Sequence, residues 1–228
     1  PPAPDHPLTL VNTKCIIPAI CAQERNLTAQ MNPSLRSALT YALAVRWRPG
    51  RDLLAVALSW ILLVAALYTA TFVVGSEVAG GMGYFGMYAV VGALLVGMGV
   101  PIYWTVVVCK RPLRALGLTL RRWRLSLALQ LVLAAVQFVI MPAAPSMAWE
   151  RLLPLITLAL AIGLFEAVFW RGWVLQRLEE AFGVVPAVLL GSLLYAAYHI
   201  GYGMNVDEME FLFFIGVMFA LVFLTTRS

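Results

Sequence analysis

Charge is what this chain has least of. Only 12% of its 228 residues are Asp, Glu, Lys or Arg, about half the usual share for a soluble domain. Hydrophobic residues make up 62%, and mean hydropathy is +0.87. These values exclude a soluble globular domain, a disordered chain and a collagen-like fibre, because a soluble domain of this length needs polar side chains to cover its surface. Cysteine is scarce too. Cys15, Cys21 and Cys109 are too few for a disulfide scaffold and lack the paired spacing of a zinc site. No internal repeat is present, which argues against an inverted-repeat transporter. The solvent left for so apolar a chain is lipid.

A helix needs about 20 apolar residues to cross the hydrocarbon core. Stretches of that kind run from about Leu53 to Gly75, Tyr84 to Cys109, Leu125 to Ala143, Leu152 to Leu175, Val184 to Gly203, and Phe211 to Ser228. The expected fold is an all-α polytopic transmembrane bundle of about six spans, over residues 52–228. Residues 1–51 read as a cytoplasmic, partly disordered tail, Pro-rich and aperiodic over 1–30, with Met31 as a plausible start. The tail lacks the order of a cleavable signal peptide. At the other end, the apolar run stops at Ser228 with no polar tail, so the sequence reads as cut off there.

The 16 Lys and Arg residues fall unevenly between these stretches. Six precede the first, from Lys14 to Arg51, and six more lie between Lys110 and Arg124. Arg171, Arg177 and Arg227 follow or end later stretches. Of the remaining gaps, only the one holding Arg151 carries a base. The positive-inside rule therefore puts the N-terminus, the 110–124 loop and the 176–183 turn in the cytoplasm of an inner or plasma membrane. The pI near 9.4 follows from arginines facing an anionic leaflet. There is no aromatic-interleaved basic groove of the nucleic-acid type, so the expected partners are a lipid bilayer and a peptide or membrane-protein substrate, with no nucleic acid.

Ionisable groups inside a bilayer cost about 2.5–3.5 kcal/mol each on insertion scales, so each needs a reason. Glu166 is the only carboxylate well inside a predicted span, and His199 the only histidine; the other histidine, His6, lies in the tail. A helix rises about 1.5 Å per residue, which puts Glu166 about 16 Å and His199 about 22 Å from the cytoplasmic ends of adjacent antiparallel helices. A Glu and a His sharing a dry site suit the activation of water. Against this stands the plainer reading of two packing or interfacial hydrogen bonds. Arg171, five residues beyond Glu166, lies about 140° further round an α-helix, off its stripe. Its long stem can snorkel to the surface.

Other features read more simply. Trp47, Trp104, Trp123, Trp149 and Trp173 lie near span ends as an interfacial belt. Gly75, Gly80, Gly81 and Gly83 form an external loop, and Glu179-Glu180 a solvated pair. Pro154 and Pro186 sit near helix starts, where proline is tolerated.

The run Phe165-Glu166-Ala167-Val168-Phe169-Trp170-Arg171-Gly172 resembles the Glu-Glu-x-x-x-Arg motif of the CPBP intramembrane proteases. That family includes CAAX prenyl endopeptidases and bacterial abortive-infection proteins. Ala167 replaces the second Glu. Tyr195-Ala196-Ala197-Tyr198-His199 fits the second motif, an aromatic four residues before a His. Arg111-Pro112-Leu113 and Leu116-Gly117-Leu118 resemble the loop that precedes the core helices. The resemblance covers about residues 110–228, and the sequence ends before the family's last motif, His-x-x-x-Asn/Asp. It implies an intramembrane endopeptidase. Glu166 would activate the water, His199 would position it or steady the oxyanion, and Arg171 would give electrostatic support. A divalent metal is left open by the resemblance and is not required by the sequence, since one Glu and one His are fewer than the three protein ligands of a catalytic zinc. The rival readings are a non-catalytic scaffold or immunity-type relative, and a small proton-coupled transporter using Glu166 as a relay.

Overall fold

The computed structural model describes residues 37, 40–75, 77–120, 122–140 and 162–227. The chain divides into two units, Pro1–Ala42 and Leu43–Ser228, and the elements below belong to the second. Among the described residues every regular element is helical, as expected, and no strand occurs. We label the helices α1 (Arg51–Val74), α2 (Gly81–Val108), α3 (Trp123–Ile140), α4 (residues 162–182), α5 (Val184–Tyr202) and α6 (Val206–Thr226). Four of them, α1, α2, α5 and α6, are long and apolar enough to cross a membrane. The expected count was six. The end of the third expected span (141–143) and the start of the fourth (152–161, with Pro154) lie outside the described residues, as does Trp149.

Several boundaries differ from the sequence reading for local reasons. Helix α6 starts at Val206, not Phe211. Asn205 accepts from the Glu208 N–H at 3.0 Å while its own N–H donates to the Glu208 carboxylate at 2.8 Å. This capping box, with Asp207 and Glu208 in the first turn, suits the positive end of the helix dipole. Asp207, Glu208 and Glu210, in the gap between the last two expected stretches, are therefore helical. The glycines read as an external loop are helical in part as well: Glu77–Phe85 is a helix broken at Gly81, where φ is 49°.

The core forms where α1, α4 and α5 meet, around Leu63, Leu67, Val168, Phe169, Trp173 and Tyr198. Trp173 is not an interfacial residue. It is fully buried, and its indole N–H donates to Ser59 Oγ at 3.2 Å. Trp60 of α1 likewise donates to the Leu194 carbonyl of α5 at 3.0 Å.

One end of the bundle carries an ion network. The Asp52 carboxylate accepts from the Trp104 indole at 3.0 Å and from the buried Arg177 at 3.4 Å. Arg177 also meets Glu180 at 2.7 Å, and Glu180 takes Arg111 at 3.1 Å. Arg227 holds Glu179 through both carboxylate oxygens at 2.7 Å, the strong two-point geometry of guanidinium and carboxylate. Glu179 is thus a buried ion-pair partner, whereas Glu180 is paired but remains solvent-exposed. These contacts gather the start of α1, the end of α2 and the ends of α4 and α6.

Cys109, one residue beyond α2, reports on this network. Burial and then the Asp52 carboxylate, 3.8 Å from its sulfur, push the thiol above its ordinary range, while Arg111 and Arg177 pull it down. The thiolate is the nucleophile. Asp52→Asn removes a raising influence and leaves the two arginines, so Cys109 should ionise at lower pH. Maleimide labelling at neutral pH is expected to quicken in Asp52→Asn, and an unchanged rate would disconnect Cys109 from Asp52.

Candidate functional site

The site begins at the turn between α4 and α5. Gly183 has φ of 93°, a conformation that favours glycine, and a Cβ there would strike the Ala44 carbonyl. The chain reverses at this point, and α4 and α5 run back along each other. Glu166 precedes Gly183 by 17 residues and Tyr198 follows it by 15, so at about 1.5 Å per residue the two reach nearly the same level.

They meet there. The Tyr198 hydroxyl donates to Glu166 Oε1 at 3.0 Å and the Tyr195 hydroxyl to Oε2 at 3.4 Å. Two phenols thus fix both oxygens of the carboxylate and leave lone pairs for a further partner. The Tyr202 ring packs against Tyr198 at 5.9 Å between centroids, extending the aromatic cluster beside Glu166 toward α2. Ring contacts pack the same residues: Trp170 lies 5.4 Å from Tyr195 and 4.9 Å from Tyr198 between centroids, and Tyr88 lies 6.0 Å from Tyr202.

His199 is buried on the same stripe, its ring 4.1 Å from Tyr198. Its Nδ1 lies 2.9 Å from the Tyr195 carbonyl oxygen. A carbonyl only accepts, so Nδ1 carries the proton, and the neutral ring has its lone pair on Nε2. Among the described residues no hydrogen bond joins Glu166 to His199 directly. Tyr198 stands between them, bonded to one and packed on the other.

Arg171 is where the sequence reading changes most. An α-helical count sets it off the Glu166 stripe, but Ala167–Leu175 is wound with i to i+5 hydrogen bonds. Such wide turns bring residues five apart onto nearly the same face. Glu166 and Arg171 accordingly line one cavity of about 780 Å³, close enough to interact electrostatically. The guanidinium lies over the Phe219 ring at 4.2 Å, and no ion pair within 4.0 Å joins it to a carboxylate among the described residues. Leu116, Leu118, Leu164, Phe219 and Phe223 supply most of the apolar wall, with Ser126 and Gln130 from α3. Ala167, in the place of the motif's second Glu, also faces this cavity; His199 is not among its lining residues.

Tyr88 and Tyr202 were not picked out from the sequence. For Tyr202 the signal was spacing, since Tyr195, Tyr198 and Tyr202 fall at i, i+3 and i+7, one face of a helix; Tyr88, on α2, carried none. Among the described residues no three His, Cys, Asp or Glu side chains gather where they could hold a metal ion.

Residues 148–228 match a family model described as Rce1-like, type II CAAX prenyl endopeptidase Rce1-like. This supports assignment to the CPBP/CAAX protease family. The matched segment includes Glu166, Arg171, His199 and all three tyrosines of α5. The chain's several apolar helices together with this match mark an integral membrane protein. Comparison with curated proteins and with solved structures found no match.

Proposed function

We propose that this chain is an intramembrane endopeptidase of the CAAX type, in which Glu166 takes a proton from water as that water attacks a peptide carbonyl. The observation that carries this reading is a carboxylate held by two phenol hydroxyls in the wall of a largely apolar cavity of about 780 Å³. The phenols orient the carboxylate without neutralising it. The cavity is of the size of a small-molecule or peptide pocket, and its apolar walls suit a lipid-modified or membrane-embedded segment. Arg171 supplies positive charge in the same cavity, where negative charge develops on the carbonyl oxygen. His199, reached through Tyr198, orders the tyrosines and offers Nε2 to a water. No step is routed through a metal. The topology that goes with this reading has six spans, with the N-terminus, the 110–124 loop and the α4–α5 turn on the cytoplasmic side.

The scaffold reading draws on one specific feature, Ala167, which leaves the cavity a single carboxylate. A cleavage assay separates the two. Purified protein in liposomes is given a prenylated peptide ending in a CAAX sequence, in water enriched in ¹⁸O. Hydrolysis puts one ¹⁸O into the new carboxyl terminus, with or without a pH gradient across the liposome. An intact peptide refutes the reading, and flux that follows the pH gradient without cleavage favours proton-coupled transport.

A further inference from the structure

A short stretch of chain before α1 holds the turn between α4 and α5 from outside. The last carbonyls of a helix have no partner within it, and here two of them are met by this stretch. The Arg46 N–H donates to the Phe182 carbonyl at 3.0 Å and the Arg48 N–H to the Ala181 carbonyl at 2.9 Å. Bonds from alternate residues are those of an extended segment, here laid across a helix end. Gly183 is the notch that admits it, since the Ala44 carbonyl oxygen lies where a Cβ would stand. Trp47 packs on Phe182, with ring centroids 5.3 Å apart. Residues 44–50 thus form a strap fastened to the bundle.

The strap turns an apolar row outward. Leu43, Val45 and Trp47 are 66%, 75% and 78% exposed, while Ala44 and Arg46 between them are half-buried. Two observations identify what covers that row. The first is level. The strap is bonded to residues 181 and 182, and the α5 span starts at Val184 with no polar spacer. At its other end the strap runs into the α1 span, which starts at Arg51 and leaves Leu54, Leu58, Ile61 and Leu62 more than half exposed. A segment pinned at both ends to span boundaries lies along the bilayer surface. The second observation is charge, for residues 43–51 hold three arginines and no acid. Apolar and aromatic side chains interleaved with arginines at that depth suit the boundary between acyl chains and anionic headgroups.

We infer that the strap is a docking face for the anionic leaflet of the protein's own membrane. Leu43, Val45 and Trp47 enter the acyl boundary, and the exposed Arg48 and Arg51 hold lipid phosphates. The lipid surface thereby steadies the α4–α5 turn, from which Glu166 and Tyr198 reach their common level. Nothing in this inference depends on hydrolysis of a peptide.

The test is spin-label accessibility in the full chain, reconstituted in phosphatidylcholine bilayers with and without phosphatidylglycerol. Cys15, Cys21 and Cys109 are replaced by Ser, and one nitroxide is carried by Val45→Cys or Trp47→Cys. Leu58→Cys on α1 is the lipid-facing reference, and Asp207→Cys, at an exposed acid, the water-facing one. With phosphatidylglycerol present, oxygen should relax the labels at 45 and 47 several-fold more than a water-soluble nickel chelate does, as at 58. Nickel access equal to that at 207 would put the strap in water. Shielding from both reagents would mean that protein covers it, either the chain before residue 43 or a second copy. Either result overturns the proposal. Without phosphatidylglycerol the labels should shift toward the nickel chelate, and Arg48→Gln with Arg51→Gln should reproduce that shift when it is present. A depth indifferent to lipid charge and to both arginines would overturn the assignment to lipid phosphate. Trp47→Phe gives a reading that needs no label. It is expected to lower the share of tryptophan emission quenched by lipids brominated near the top of the acyl chain, and an unchanged share would overturn the docked face.

Discussion

Replacing Glu166 with Gln is expected to lower kcat for the CAAX-terminated peptide by about 10²- to 10⁴-fold, the range for loss of a positioned general base. KM should change little. The substitution is nearly isosteric, and the amide oxygen still accepts from the Tyr198 hydroxyl that now reaches Oε1 at 3.0 Å. The weaker contact from Tyr195, at 3.4 Å, loses its acceptor if the amide nitrogen takes the place of Oε2. A proton-accepting group is removed while shape and most hydrogen bonding remain. An effect confined to kcat marks a group whose interaction is made only in the transition state. Single-turnover kinetics on the liposome-embedded variant measures this directly. If Glu166→Gln cleaves at the wild-type rate, the carboxylate is a packing group and the hydrolytic assignment is wrong. If neither protein cleaves but both melt alike, the scaffold reading gains.

The sequence showed Glu166 and His199 clearly because the bilayer is an unforgiving solvent, and in so apolar a run one acid and one histidine stand out by cost alone. Their common level followed from the helix rise and the short turn at Gly183. What lay beyond the sequence was mostly contact across long separations. Glu179 finds Arg227 48 residues on, Arg111 finds Glu180 69 residues on, and Trp173 finds Ser59 114 residues back. No local pattern encodes such pairs, so solvated acids and an interfacial Trp were the natural readings. Arg171 was misplaced for another reason: the 100° step assumed for an α-helix does not hold over Ala167–Leu175. Direct contact between Glu166 and His199 was implied by matching depth, but depth does not fix the angle around a helix, and Tyr198 occupies the position between them.

Two short motifs 55 residues apart explain each other, and that pairing makes Gly172→Ala the most informative structural variant. Gly172 follows Arg171 on α4. A Cβ there would run into the Leu116 carbonyl oxygen, with the Leu116 carbonyl carbon at 3.1 Å and its Cα at 3.3 Å. All three atoms are backbone, so no side chain can swing aside. Leu116 ends the tight turn Leu113–Leu116, and Gly117 follows with φ of 74°, its own Cβ position 2.6 Å from the Phe223 ring of α6. The Leu116-Gly117-Leu118 loop is therefore wedged between α4 and α6, with Gly172 as the notch that receives it. Over-filling a packed contact costs about 1–3 kcal/mol, against a gain of about 0.5–1 kcal/mol from replacing a helical Gly by Ala. Gly163→Ala on the same helix is the control, because among the described residues nothing lies within 4 Å of its Cβ position. Gly163→Ala is expected to keep or slightly raise the melting temperature in detergent. Gly172→Ala should lower it by several degrees, at about 2–4 °C per kcal/mol for a chain of this size. Because Leu116 and Leu118 line the cavity that holds Glu166 and Arg171, the displaced loop should also raise KM for the peptide. Equal melting of the two alanine variants would mean that the loop can move away from α4 freely. The wall opposite Glu166 would then be set by some other contact.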